Sequence, residues 1–339
     1  MRIAIMGAGS LGTVLGAYIT QNGCPIDLID TNEAHVKALN EHGAKIKGKK
    51  EFTVKVNALL PGQMRGTYDL ILLLVKQTFN DEALGQLKAH LTENSTVCTL
   101  QNGLPEYSVA KILGQKMVVG GVVSWGAKLL EPGVSEITTD LSSHEFDIGE
   151  INGETTERIL KLKEILQLMC PTNILDNLMG IRWNKIIANS AMSGMSAVLG
   201  CTFGEILDNP EALLRAKHIA NECIHVCHAT GIHMAVRHGY DHGNLLFFER
   251  KDELDVKDWI FKKIWEPHRN VIGSMLRDLE IGIKTEVDYI NGAVVKVGMD
   301  YNVPTPVNNQ VVKIIKDIEA GRLKSQMSNV DLIEVPEIN

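Results

Sequence analysis

Two sets of residues in the sequence have the types and spacing that chemistry needs. The first is Gly7-Ala8-Gly9-Ser10-Leu11-Gly12. In such a turn Gly7 permits the tight reversal, Gly9 lets the backbone approach a pyrophosphate, and Gly12 allows close packing of a helix on a strand. The helix opening at Ser10 and Leu11 offers free N–H groups and a positive dipole end to phosphates. Asp30 follows 18 positions after Gly12. A carboxylate there accepts hydrogen bonds from ribose hydroxyls and repels an added 2′-phosphate. Thr31-Asn32-Glu33 brings no arginine or lysine to neutralise such a phosphate. The expected ligand is a dinucleotide, NAD in preference to NADP, with Lys37 or a distant loop as the route by which NADP would still be accepted.

The second set consists of polar groups on otherwise apolar elements. Lys185, Asn189 and Ser193 (or Met192) fall at i, i+4 and i+7/i+8 of one helical face. Their neighbours Ala188, Ala191, Gly194 and Ala197 are the small residues of a buried helix, so the stripe reads either as a solvated face or as the lining of a site. Lys76 ends the apolar run Tyr68 to Val75, and Gln101-Asn102-Gly103 ends the next one. Open α/β sheets bind ligands at the carboxyl ends of their strands. Ser274-Met275-Leu276-Arg277-Asp278 precedes Lys284 to Gly292, where Glu286 reads equally well as a first-turn carboxylate of a helix.

The elements that must position these groups fall into two halves. Strand, glycine turn, helix and strand fit within the first thirty residues, with Gly23 closing the helix. Helix Asn32 to His42, strand Tyr68 to Val75, helix Asn80 to His90, and strands Thr96 to Leu100 and Met117 to Val123 continue the alternation. Antiparallel strands between Ser135 and Ile148 complete the sheet, and helix Thr155 to Met169 leads to a short strand near Ile174. Beyond Leu178 the pattern is helical: Ile181 to Leu199, Asn209 to Ala229, Trp259 to Gly282, Glu286 to Val297 and Pro304 to Ala320. The expected fold is α/β: an N-terminal Rossmann-type doubly wound sheet (1–177) followed by an all-α C-terminal domain (178–325) that carries substrate and catalytic groups, then a loose tail (326–339).

Composition sets the outer limits. A chain of 339 residues, 45% hydrophobic and 22% charged, is ordinary globular protein. Its formal charge of −7 argues against a nucleic-acid partner, and Lys47-Gly48-Lys49-Lys50 reads as a solvated loop. No apolar run suggests a membrane span. Met1-Arg2-Ile3-Ala4-Ile5 enters a strand directly, so a cytoplasmic protein with free thiols is expected. Cys223 and Cys227 share a helix face, but no second ligand pair stands out, so no metal is expected.

These clusters, in this order, resemble the ketopantoate reductase (2-dehydropantoate 2-reductase) family. The likeness spans about residues 1 to 322 and is most distinctive at Thr285-Glu286-Val287-Asp288-Tyr289-Ile290-Asn291-Gly292. It implies reduction of 2-dehydropantoate to (R)-pantoate, in pantothenate biosynthesis, by an NADH- or NADPH-dependent enzyme. It further implies that Lys185 is the general acid and that Glu286 holds and polarises it. Asn102, Asn189 and Ser274 would bind substrate oxygens, with Asn102 and Lys76 also at the nicotinamide end of the cofactor. The chemistry is coherent in itself: a cation beside the carbonyl oxygen stabilises the charge that hydride addition creates and then supplies a proton. Burial would move such a lysine toward neutrality, and Glu286 would oppose that shift.

The sequence departs from the family pattern where the substrate would be read. Ser193 stands where a second substrate-binding asparagine is common, and Arg277 where glutamine is usual. The segment 238–265 is longer than usual and aromatic, with Phe247, Phe248, Trp259, Phe261 and Trp265. The basic residue common after the second strand is replaced by Asp30-Thr31. The first alternative is therefore reduction of another branched or aromatic 2-oxo acid, and the remote one a non-catalytic dinucleotide sensor. A homodimer is the default assembly.

Overall fold

The structure, a computed structural model, describes residues 1–236 and 239–337. Contacts divide the chain into two compact units. One comprises Met1–Gln101 and Pro105–Leu178, the other Asn102–Leu104 and Met179–Asn339.

The first unit contains twelve strands: β1 (Ile3–Met6), β2 (Asp27–Ile29), β3 (Ala44–Gly48), β4 (Phe52–Val54), β5 (Asn57–Leu59), β6 (Leu70–Leu73), β7 (Thr96–Thr99), β8 (Val118–Val123), β9 (Ala127–Glu131), β10 (Val134–Ile137), β11 (Phe146–Gly149) and β12 (Thr172–Ile174). Eight of them form one sheet in the order β12-β11-β8-β7-β6-β1-β2-β5. All pairs from β8 through β5 are parallel, whereas β11 pairs antiparallel with β8 and β12 runs parallel to β11. The residues of β1, β6, β7 and β8 are buried throughout, as strands covered on both faces must be. The order reverses at β1, which has β2 on one side and β6 on the other. Ligand crevices of doubly wound sheets open at such a reversal.

Two features of this unit differ from expectation. Of the antiparallel strands expected between Ser135 and Ile148, β11 does join the main sheet, but β10 joins β9, β3 and β4 in a second one, ordered β4-β3-β10-β9. Lys47 and Gly48 accordingly end a strand instead of lying in a solvated loop; β3 alternates buried Ala44 and Ile46 with more accessible Lys45 and Lys47.

The second unit is helical among the described residues. The long helix expected over Ile181 to Leu199 is three joined pieces: α-helix Leu178–Ile187, a π-helical stretch Ala188–Ser193, and α-helix Gly194–Leu199. The helix expected over Trp259 to Gly282 is two, Leu254–Trp265 and Ser274–Glu280. Pro267 breaks it, since proline has no N–H and its ring clashes with the preceding turn. The freed backbone pairs elsewhere, with Arg269 and Val271 carbonyls accepting from Gly204 and Phe203 N–H at 2.7 and 2.9 Å. The segment 326–339 is no loose tail over its described part. Met327–Leu332 forms a 3-10 turn, Asn329 donates to the Val198 and Lys324 carbonyls, and Ile333 is buried; Ile338 and Asn339 lie outside the described residues.

The aromatic segment also takes a different place. Leu246, Phe248 and Phe261 are core residues of the second unit, and Trp265 meets Phe203 edge-on at 6.4 Å. Trp259 is exposed with Lys263 over its ring, and His238 lies outside the described residues. Cys223 and Cys227 are buried in the same core, as thiols. No helix among the described residues is long and apolar enough to cross a membrane.

His218 is 5% exposed against the Phe248 ring, and burial, reinforced by Lys217 and Arg215, lowers its pKa to about 4. The folded state therefore resists a proton that the unfolded chain accepts near pH 6.5. Its contribution to stability is present above that pH and lost as pH falls toward 4, at up to roughly 1.4 kcal/mol per pH unit. Thermal unfolding of His218→Leu is expected to depend less on pH across this window than that of the parent. Parallel Tm profiles would contradict the assignment.

Candidate active site

The glycine turn lies between β1 and helix Ser10–Gln21. Gly7 and Ala8 N–H groups both donate to the Ile29 carbonyl, at 2.9 and 3.0 Å, which ties the turn to the end of β2. Gly7 has φ +97°, and a methyl group on it would lie 2.5 Å from the Val75 nitrogen. On Gly12 a methyl would lie 2.2 Å from the Gly7 carbonyl oxygen. Gly9 is different: nothing lies within 4 Å of where its Cβ would be. The first turn of the helix has no side-chain cap and no acidic residue, and Ser10 and Leu11 are partly accessible. Open backbone and uncapped N–H groups are what an anionic group needs at a helix start.

Asp30 stands at the same sheet end. Its Oδ1 accepts from Asn32 N–H at 2.9 Å, and Asn32 in turn caps helix Glu33–His42 through His35 N–H. Oδ2 has no hydrogen-bond partner among the described residues. Lys37 is exposed on that helix with Glu41 at 3.9 Å. Lys76, partly buried, opens the 3-10 turn Gln77–Phe79 directly after the Val75 against which Gly7 packs. The carboxyl ends of β2, β1 and β6 thus bring Asp30, the glycine turn and Lys76 to one edge.

A buried amide holds the loops at this edge. Gln101 Nε2 donates to the Val75 carbonyl and to Asn80 Oδ1, both at 2.6 Å, while its Oε1 accepts from Thr99 at 2.9 Å. Ser108 adds a bond to Gln77 Oε1 at 3.2 Å. The sequence offered Gln101 only as part of a polar loop, because nothing in a tripeptide reveals which amide turns inward.

In the second unit Lys185 and Asn189 are partly buried, and Ser193 is 5% exposed. A four-residue step overshoots the 3.6-residue turn of an α-helix. The π stretch widens the turn, with Gly194 N–H donating to the Asn189 carbonyl, and so keeps Asn189 and Ser193 on one stripe. Single π turns recur at functional sites. Met192, the alternative for that stripe, is fully buried. Ser274 is exposed as the first residue of its helix, and the preceding Gly273 rests on Ser193, where a methyl would come within 2.8 Å of the Ser193 Cα. Ser193 and Ser274 are therefore neighbours.

Glu286 does not start a helix. It is 7% exposed before the short turn Val287–Tyr289, and helix Asn291–Asp300 begins later. Its Oε2 accepts from the Asn102 amide at 3.3 Å, so two of the expected site residues meet directly. Thr285 is pinned beside it, its N–H and hydroxyl both donating to Glu319 Oε1 at 2.7 and 2.6 Å. Glu319, far along the chain, carried no sequence signal.

The two glycines separate steric from ligand constraints. Gly12→Ala is expected to lower Tm by roughly 5–10 °C, because backbone must shift to admit the methyl. Gly9→Ala, at φ −62° with open space around it, should unfold within about 2 °C of the parent. Equal losses in a calorimetric scan would refute this difference.

Comparison with known proteins agrees over both units. The profile of the ketopantoate reductase PanE/ApbA family matches residues 3–153, and that of its C-terminal region matches residues 177–319. A 2-dehydropantoate 2-reductase of Pyrococcus abyssi is 31% identical over 324 residues, 94% of this chain and 98% of that protein. A PanE/ApbA family ketopantoate reductase from Ralstonia eutropha JMP134 has a TM-score of 0.81 at 25% identity, covering 95% of this chain and 99% of the other. A D-mandelate dehydrogenase solved with NADH and anilino(oxo)acetate shares the fold, with a TM-score of 0.81 at 24% identity over 95% and 99% of the two chains. By these matches and by its own architecture, the chain belongs to the ketopantoate reductase family of NAD(P)-dependent oxidoreductases.

Proposed function

We propose that the protein reduces 2-dehydropantoate to (R)-pantoate, with NADH preferred, and that Lys185 is its general acid. The observation that carries this reading is the make-up of the second unit. It places a partly buried lysine one turn before Asn189, and a buried Glu286 bonded to Asn102, in a chain related to reductases of this substrate. When bound, the reduced nicotinamide supplies a hydride to C2 of the 2-oxo acid. The carbonyl electron pair then moves to oxygen, which takes a proton from Lys185 Nζ and leaves a 2-hydroxy acid; solvent reprotonates the lysine. Before transfer, the ammonium charge stabilises the developing alkoxide. Glu286 positions the lysine, Asn102, Asn189 and Ser274 hold substrate oxygens, and Lys76 serves the nicotinamide end.

The glycine turn and Asp30 support the cofactor reading. Gly9 leaves room for a pyrophosphate, and Asp30 retains Oδ2 as an acceptor for a ribose hydroxyl. A 2′-phosphate would meet that carboxylate, which favours NADH.

Ser193 favours a second reading on the same chemistry. A buried serine in place of a carboxamide is shorter and offers one hydroxyl, so a differently shaped branched or aromatic 2-oxo acid would fit. Of the aromatic residues that suggested an aromatic substrate, Phe248 and Phe261 are core, which leaves Ser193 as the better indicator.

Steady-state kinetics with NADH, NADPH and a panel of 2-oxo acids tests both readings. The proposal expects kcat/KM for 2-dehydropantoate to exceed that of every other acid by more than about tenfold, a margin that differential binding of one polar group supplies. A better acid elsewhere in the panel would favour the second reading, and no turnover with either cofactor would refute both. Lys185→Ala should lower kcat by about 100-fold to 10,000-fold while NADH still binds. Asp30→Ala should narrow the preference for NADH over NADPH; an unchanged ratio would place the cofactor selection elsewhere.

A further inference from the structure

We propose that His35 is a positioning residue for the dinucleotide, aiming the Gly9 N–H outward by holding the Ala8 carbonyl inward; the inference rests on the cofactor reading above. His35 is 1% exposed on helix Glu33–His42 and belongs to no part of the glycine motif. Its Nδ1 accepts from Gly133 N–H at 3.0 Å, in the turn between β9 and β10. A ring nitrogen that accepts carries no proton, so the proton of the neutral ring is on Nε2. Nε2 lies 2.9 Å from the Ala8 carbonyl oxygen and 3.0 Å from Thr13 Oγ1. Thr13 directs its own hydroxyl proton to the same Ala8 oxygen at 2.6 Å, which leaves the Thr13 oxygen as a second acceptor for Nε2–H.

Two buried donors therefore converge on one carbonyl at the centre of the turn. In a trans peptide the C=O and the following N–H point in opposite directions. Fixing the Ala8 oxygen on the buried Thr13 and His35 side chains sends the Gly9 N–H away from them. The Gly133 bond adds a purpose to the small sheet: it sets the ring's tautomer and orientation, so that the donor faces the turn. A histidine serving only to fill the core would need neither the bond to Gly133 nor the one to Ala8.

Three variants separate positioning from packing. His35→Gln places an amide NH2 near the Nε2 position and keeps a donor for Ala8. His35→Asn puts its oxygen near Nδ1, keeping the Gly133 bond and losing the donor. Thr13→Val removes the other donor with little change of shape. NADH binding is measured by calorimetry, alongside Tm and the separate KM values for NADH and the 2-oxo acid. The expected result is a five- to tenfold weaker Kd and higher KM for NADH in His35→Asn and Thr13→Val, the loss of about one hydrogen bond. KM for the 2-oxo acid should hold and kcat should stay within about twofold, with His35→Gln close to the parent. NADH affinity unchanged in His35→Asn, or equally weak in His35→Gln and His35→Asn, would overturn the inference while leaving the cofactor reading intact. A parent protein that binds neither dinucleotide would overturn both.

Discussion

A buried carboxylate organises the helical unit. Glu222, on helix Pro210–Ala229, accepts from the Val307 and Asn308 N–H groups at 2.8 and 2.9 Å, where helix Pro306–Glu319 begins without a side-chain cap of its own. It thus does from another helix what an N-cap residue does locally. It also accepts from the Asn308 amide, whose oxygen accepts from Asn291, whose amide donates in turn to the Ser190 carbonyl. The chain of bonds ends inside the π stretch. Burial raises the Glu222 carboxyl above its ordinary range, and its three donors oppose that shift. A half-satisfied network of this kind is worse than an apolar core, so its members stand or fall together. The π stretch bearing Asn189 and Ser193 is thus held by groups that lie off the polar stripe itself.

The same division recurs in the first unit. Gln101, the last residue of that unit before the chain leaves it, turns its amide inward to fasten the loops after β6 and β7, whereas Asn102, already part of the second unit, meets Glu286 there. Likewise the glycine turn is open at Gly9, while Gly7 is packed against Val75 and Gly12 against Gly7. In both units the candidate site residues stand beside buried groups that are hydrogen-bonded or packed from within.

What the sequence made legible follows from this. The glycine turn, Asp30 and the apolar strands are local signals, since periodicity and turn chemistry act over a few residues. The polar stripe was visible too, but as an α-helix, because the π stretch is stabilised by Asn291, a hundred residues away. The small sheet escaped because β3 and β4 are short, β3 carries Lys45 and Lys47, and β10 pairs with β3 across most of the unit. The break at Pro267 was written plainly, yet the apolar pattern on both sides favoured one long helix. His35 and Glu222 had no local signature at all: a buried histidine or glutamate acquires meaning only from the backbone groups that the fold brings to it.

The thiols have a consequence of a practical kind. Cys24 is partly accessible, while Cys98, Cys170, Cys201, Cys223 and Cys227 are buried, and burial pushes Cys170, Cys201 and Cys227 up to about 12. Alkylating reagents attack the thiolate, so a buried thiol reacts only when its surroundings open. Cys98 and Cys170 belong to the sheet unit and Cys201, Cys223 and Cys227 to the helical one. The chain therefore carries natural reporters of transient opening in each half, readable by mass spectrometry without introducing any label.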